Sequence, residues 1–366
     1  MKTVLKLSVV LLLLVVLIVP IAPGAHAAPL AGICVSNGVG GGNWSASGSW
    51  LCSGTGGAIF PNSLTIDVFV LSGDTITVDA ASFAGNVTVE GTLNGGVATT
   101  LQIGGNFTNN GTFTANIGTI TFSGSSAQSI GGASTFTFNN LTISNATGVN
   151  LNKDVTVNST LALANGDLNT GANVLTLASG ATVTAAGGGD VVGNVKRNGA
   201  FGVGSYPFNN PNTLINFSAV TTSPTDITIN LVKTAPGGLA NAVPRTYQIT
   251  AGGAPSFTAT VQFHYKTTEG GFTTEANLRP WKQVGGRWTL QPGSDTASGN
   301  NSFVSAAGVT SFSPWALADS GAPTAVMLST FAANDPAQSN FVMPMLGLLG
   351  VVIAGGAWFA RRARRN

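Results

Sequence analysis

Chemistry at a protein site needs titratable or metal-binding side chains held close together, and this 366-residue chain offers few. Its histidines are His26 and His264, and its cysteines are Cys34 and Cys52. In Val261-Gln262-Phe263-His264-Tyr265-Lys266 the imidazole alternates onto the polar face with Gln262 and Lys266, so it reads as a solvated strand histidine rather than a general base. His26 falls in a segment expected to be cleaved, and the single remaining histidine is too little for a His/Cys metal site. Paired carboxylates are the more serious option, because hydrolases and lyases place two acids a few ångströms apart or build a Ca²⁺ cage. The acids of the repeat region are Asp67, Asp74, Asp79, Glu90, Asp154, Asp167 and Asp190, and no two are near enough in sequence to pair on one strand. Asp154 and Asp167 fall near corners, where a carboxylate commonly caps a turn. Stacked strands would still bring distant acids within about 4.8 Å of each other.

The remaining candidates read as structure. Gly40-Gly41-Gly42 and Gly187-Gly188-Gly189 precede neither a helix nor a Lys-Ser/Thr pair, so they are expected to be flexible connectors rather than phosphate cradles. Trp44, Trp50, Trp281 and Trp288 could stack on sugars, but burial in a core or cap is the commoner fate of a strand tryptophan. Sequons such as Asn86-Val87-Thr88 and Asn106-Phe107-Thr108 arise by chance in so Asn/Thr-rich a chain. No catalytic residue, cofactor or metal ligand emerges, and the expectation is a protein that is not an enzyme.

The elements that would position these residues are strands. From about Ile59 to Val183, segments such as Thr75-Ile76-Thr77-Val78, Thr119-Ile120-Thr121-Phe122 and Thr135-Phe136-Thr137-Phe138 alternate apolar residues with threonine, the period of a half-buried strand. Val155-Thr156-Val157 is followed twenty positions later by Leu175-Thr176-Leu177, and Gly91-Thr92-Leu93 by Gly111-Thr112-Phe113. A unit near twenty residues holding two or three short strands predicts one rung of a β-solenoid, in which each rung pairs its backbone with the next. A β-sandwich of meander hairpins is the competing reading of the same alternation. After Gly189 the strands lengthen. Asp226 to Val232 is one and Thr258 to Tyr265 another, while Trp281 to Val284 and Arg287 to Leu290 flank Gly285-Gly286, a two-residue hairpin signal that puts both indoles on one face. Residues 190–319 are read as a separate antiparallel β-sandwich of normal domain size.

The ends carry targeting signals. Lys2 and Lys6, the apolar run Leu7 to Ile21 and the small residues of Ala25-His26-Ala27 form a secretory signal over residues 1–27, cut after Ala27. Leu30-Ala31-Gly32-Ile33-Cys34 is not a lipoprotein box, because Ile33 separates the cysteine from the small residue. Residues 341–360 hold no charge, which is long enough to cross about 30 Å of hydrocarbon as a helix. Arg361, Arg362, Arg364 and Arg365 follow as a cytoplasmic stop in the tail 361–366. Residues 320–340 then make a Pro/Ala/Ser spacer, and removal of the anchor by a transpeptidase is the alternative fate. Cys34 and Cys52, in an N-terminal cap over residues 28–58, are expected to form a disulfide in an oxidising compartment. Two free thiols or a metal pair would need a nearby histidine that is absent from the cap.

Charge narrows the partners. The whole chain is at +2, but residues 28–340 keep nine basic against thirteen acidic side chains, a net charge of −4. No basic patch is present to attract nucleic acid. Charged residues are 8% of the chain where a quarter is typical, so the exposed body is neutral and hydrogen-bonding.

Gly105-Asn106-Phe107-Thr108-Asn109-Asn110-Gly111-Thr112-Phe113, Ala127-Gln128-Ser129-Ile130-Gly131-Gly132 and Phe138-Asn139-Asn140-Leu141-Thr142-Ile143 resemble the repeats of large bacterial surface proteins of the filamentous-haemagglutinin or autotransporter-passenger type. Arg245-Thr246-Tyr247-Gln248-Ile249 and Ser313-Pro314-Trp315-Ala316-Leu317 look like the sandwich that often closes such chains. The resemblance covers roughly residues 40–318 and implies an all-β fold, a right-handed parallel β-helix (β-solenoid) over residues 59–189 followed by the antiparallel β-sandwich, ahead of the single C-terminal transmembrane helix. It also implies a structural or adhesive role on the cell surface, with surface glycans or other envelope proteins as partners. A carbohydrate-active β-helix protein, lyase-like or glycan-binding, is the alternative. The chain departs from autotransporters in ending on one apolar helix rather than a barrel.

Overall fold

The computed structural model describes residues 32–321. The expected cleavage at Ala27, the membrane helix 341–360 and Arg361, Arg362, Arg364 and Arg365 lie outside the described residues. Among those described, regular structure is strand with a few 3-10 turns, and no helix is long and apolar enough to cross a membrane.

The alternating segments coil into a β-solenoid of about 6 turns. Period-two sequence puts every second side chain inside, so Ile120 and Phe122 of Thr119–Phe122 are buried while Thr119 and Thr121 are half-buried on the outer face. Each turn contributes to three parallel ladders. On one, Val68, Val87, Phe107, Ile130 and Leu151 stack in register. On the second, Ile76, Leu93 and Phe113 stack in the early turns, and Phe136, Val155, Leu175 and Val195 in the later ones. The third carries Leu101, Ile120, Leu141, Leu161 and Val183. Both twenty-residue offsets are true rungs, since Thr92 pairs with Thr112 and Val155 with Leu175. The inner residues are fully or nearly fully buried, and the Phe107, Phe113, Phe136 and Phe138 rings pack together within the stack.

Polar side chains tie turn to turn at one corner. Asp67 Oδ1 accepts the Asn86 N–H at 2.8 Å, Asn86 Oδ1 accepts that of Asn106 at 2.8 Å, and Asn106 Oδ1 that of Ser129 at 2.8 Å. Asp154 Oδ1 accepts the Val174 N–H at 2.8 Å and Asp167 Oδ1 the Asp190 N–H at 2.9 Å, the capping expected of both. These bonds satisfy backbone donors that a corner removes from the ladder.

The first turn is closed by an antiparallel strand. Trp50–Ser53 pairs with Gly32–Ser36, which sets Cys34 directly opposite Cys52, and the two form a disulfide. Trp44 and Trp50 are buried beside it, edge to face at 5.2 Å.

At the other end the sheet continues without a break. Val191–Asn198 pairs in parallel with Leu168–Leu177 and, on its opposite edge, antiparallel with Asp226–Val232. From there the sheet runs through Ala242–Ala251, Pro314–Asp319, Leu278–Val284 and Arg287–Leu290. A second antiparallel sheet, ordered Gly204–Asn210, Thr213–Thr222, Ser256–Tyr265, Ser302–Val309, Gly293–Thr296, meets the first through Phe263 against Tyr247 and Trp315. Gly285 and Gly286 form the predicted two-residue turn, both at positive φ, and Trp281 and Trp288 are buried as expected. Gly187 and Gly189 are not flexible connectors. A Cβ at either would lie 2.2 or 2.3 Å from a carbonyl oxygen of the preceding turn, so they are glycines because two backbones touch there.

Candidate functional site

The charged residues that the topology gathers lie where the last solenoid turn meets the antiparallel sheets. Asp167 and Asp190 precede paired strands one turn apart, so stacking does bring two distant acids together. Lys233, just past Asp226–Val232, reaches both, with Nζ 2.7 Å from Asp167 Oδ2 and 2.8 Å from Asp190 Oδ2. Arg245 comes from the middle of Ala242–Ala251, where alternation puts Val243, Arg245, Tyr247 and Ile249 on the inward face. Its Nη2 donates to Asp190 Oδ2 at 2.7 Å and to Glu269 Oε1 at 2.6 Å, and its Nε donates to Glu269 Oε2 at 2.7 Å, a two-pronged grip on that carboxylate. Arg245, Asp190 and His264 are fully buried.

His264 is a correction to the expected solvated strand histidine. Phe263, His264 and Tyr265 are all buried, because alternation ends where Asp190 and Arg245 cover the strand on the side the sequence assigns to water. Arg245 Nη1 and the Tyr247 hydroxyl both donate to the His264 carbonyl, and its Nδ1 lies 3.0 Å from the Ser302 carbonyl oxygen.

Electrostatics here follow burial and pairing. Burial works against the Asp190 carboxylate, yet Arg245, with His264 and Lys233, outweighs it and holds the carboxyl well below the ordinary carboxylate range. Burial also opposes the Arg245 charge, while Tyr247, Asp190 and Glu269 hold that guanidinium above its usual range. Arg197 is buried without an acid. It donates to the carbonyls of Pro207, Ala178 and Ala181 at 2.7–2.8 Å and lies over the Phe208 ring, and burial pushes its pKa down to about 10. With Asn209 and Asn210, which donate to carbonyls of Val191 and Gly189, it closes the open end of the last turn. A smaller group sits nearby, where the Tyr265 hydroxyl lies between Glu275 Oε1 at 2.8 Å and Asp295 Oδ1 at 2.5 Å with one hydrogen to share, and burial and Glu275 push the Asp295 carboxyl up.

What this arrangement can do chemically is limited by access. The acids and bases grip one another under two sheets, with no approach for a substrate to Asp190 or His264. Among the described residues no group of three or more His, Cys, Asp or Glu side chains could hold a metal ion. The arrangement works as an ionic bolt that joins Val191–Asn198, Ala242–Ala251 and Ser256–Tyr265.

The outer surface of the early turns carries a groove. It measures about 510 Å³ and runs between the segment carrying Thr55 and Asn62 to Thr65 and the corner formed by Asp67, Gly85, Asn86, Gly104 and Gly105. Trp44, Trp50, Trp281 and Trp288 are all buried and none floors it. Asp74 and Asp79 serve the cap, accepting from Ser36 and Ser45. Lys233, Arg245 and Glu269 were not distinguishable as site residues by spacing. The signal for Arg245 and Arg197 was a charged residue at an inward position of an apolar alternation, between Val243 and Tyr247 in one case and after Val195 in the other.

No family model matches this chain, and neither a curated protein nor a solved structure shows significant similarity to it.

Proposed function

We propose that this chain is an exported protein, tethered by residues 341–360, whose body stands on the cell surface and acts through its shape as an envelope component or adhesin. In this reading the solenoid is a right-handed parallel β-helix and the two facing sheets after it are a β-sandwich that closes its end. Residues 361–366 face the cytoplasm, and the partners are the membrane and, outside, surface glycans or other envelope proteins. The observation that carries the reading is how polar groups are used. Corner acids and amides bind the neighbouring turn, and the junction buries Asp190, Arg245 and His264 while Asp167, Lys233 and Glu269 pair at its partly exposed rim, leaving Thr- and Asn-rich faces outward. Such a body needs no cofactor and performs no catalysis. Protease and a membrane-impermeant label added to intact cells expressing the full chain should reach the body but not the terminal arginines. Labelling that requires lysis would sink the proposal.

A second reading, a glycan-binding module or lyase-like enzyme, is favoured by the groove beside Asp67 and Asn86, whose volume suits a small ligand and whose glycine-rich, partly apolar walls also carry hydroxyl, amide and carboxylate groups. A glycan array, run beside a polysaccharide-degradation screen with added Ca²⁺, separates the two. Saturable binding lost in Asp67→Ala would support the module, and turnover would overturn the non-enzymatic reading.

A further inference from the structure

The His264 ring and the Asp190 carboxylate present each other with atoms that have no hydrogen-bond partner. His264 Nε2 and Asp190 Oδ1 are both buried and unpartnered, and they lie 3.6 Å apart. The other ring nitrogen settles which proton is where. Nδ1 faces the Ser302 carbonyl at 3.0 Å, and a carbonyl only accepts, so Nδ1 carries a hydrogen. A neutral ring would then have a bare lone pair on Nε2 directed at a carboxylate oxygen, two acceptors facing each other in a dry interior.

The charges around the ring point the same way. Asp190 approaches the ring from the start of Val191–Asn198 and Glu269 from the turn after the histidine's own strand, while Asp167, one turn below, joins the cluster through Lys233. Arg245 on Ala242–Ala251 and Lys233 are the two cations facing these three carboxylates. Tyr247 donates to the His264 carbonyl, Ser302 contributes a carbonyl, and Thr213 Oγ1 accepts the His264 N–H at 3.4 Å. Tyr265, the next residue, directs its hydroxyl to Glu275 and Asp295. The cluster of three acids and two bases is therefore one positive charge short. Burial, with the Arg245 charge, opposes a charged ring and draws its pKa down to about 4 even against the pull of Asp190 and Glu269; the facing, unpartnered Nε2 and Oδ1 argue the other way. A second proton brings the cluster to neutrality, gives Nε2 a hydrogen to donate, and supplies Asp190 Oδ1 with a donor. Pairing repays the desolvation of two buried charges only where the geometry is good and their remaining polar atoms are bonded, and closure of Nε2–H on Oδ1 meets that condition.

We propose that His264 is held as an imidazolium whose Nε2–H closes on Asp190 Oδ1, making the junction between the last solenoid turn and the antiparallel sheets a proton-dependent latch that loosens in alkali. A histidine whose folded pKa exceeds its unfolded value contributes stability fully below about 6.5 and loses it as pH rises through the folded pKa.

The test uses the full chain with His26→Gln, which leaves His264 as the sole histidine, labelled with ¹⁵N-histidine. Both ring nitrogens should be protonated at pH 7, with Nε2 deprotonating at a midpoint above about 7, higher than the unfolded value of about 6.5. Denaturation midpoints between pH 6 and 9 should fall in this chain, and the fall should disappear when His264→Gln is added. An Nε2 that is bare at pH 7 and protonates only near pH 4 would overturn the proposal, whether or not the His264→Gln chain folds.

Discussion

Asp190 lies one solenoid turn from Asp167, and the Lys233 ammonium bridges their facing oxygens at 2.8 and 2.7 Å. Two carboxylates stacked at the spacing of a parallel ladder repel each other, so this register is tolerable only with a cation between them. Lys233 follows Asp226–Val232, the strand that pairs antiparallel with the last solenoid strand Val191–Asn198. The bridge thus fixes where the antiparallel sheet begins.

Replacing Lys233 with Met keeps the aliphatic stem and removes the charge. The expected cost is about 2 kcal/mol, seen as a lower urea midpoint at an unchanged slope. Adding Asp167→Asn should restore part of it, because the repulsion is then gone.

Acid should act through Asp190. Its carboxyl is held below the ordinary range in the folded chain, so its contribution is fully present above about 3.9 and lost as pH falls through the folded value. Asp190→Asn should cost about 3–5 kcal/mol at pH 7, because it leaves Arg245 underpaired, and should flatten the stability profile below pH 4. Equal acid sensitivity in both chains would contradict this.

Arg197 holds the carbonyls that end the last turn. Arg197→Met fills the space but leaves those carbonyls without donors, with an expected loss of about 3 kcal/mol in urea denaturation and faster hydrogen exchange in residues 178–197.

Much of the solenoid was legible because its signal is local and repeated. Thr119 to Phe122 declares its faces in four residues, and the offset from Val155 to Leu175 declares the turn length. The ionic junction was less legible for the opposite reason. Asp167, Asp190, Lys233, Arg245, His264 and Glu269 come from separate strands and turns, and each looks ordinary in its own segment. His264 even sits in good alternation with Gln262, and only the arrival of a second sheet reverses its environment. Arg245 was the readable exception, since an arginine between Val243 and Tyr247 on an inward stripe must find a buried partner.

The cap and the close-packed corner should respond differently to substitution. Cys34→Ser with Cys52→Ser should lower stability by about 3 kcal/mol in the chain-entropy view and expose the first turn to hydrogen exchange, leaving later turns protected. Gly189→Ala drives a methyl into the Gly166 carbonyl and should destabilise by more than about 2 kcal/mol, while Gly48→Ala, which meets open space, should change thermal midpoint little.

The strand through which the described chain leaves, Pro314–Asp319, is hydrogen-bonded on both edges, to Ala242–Ala251 and to Leu278–Val284. A pull on the chain beyond Asp319 therefore loads two ladders at once, along their length rather than one bond at a time. Through Asp226–Val232 that load passes into the stacked turns. Force applied beyond Asp319 would therefore meet shear resistance from two ladders in parallel before any strand of the solenoid is loaded.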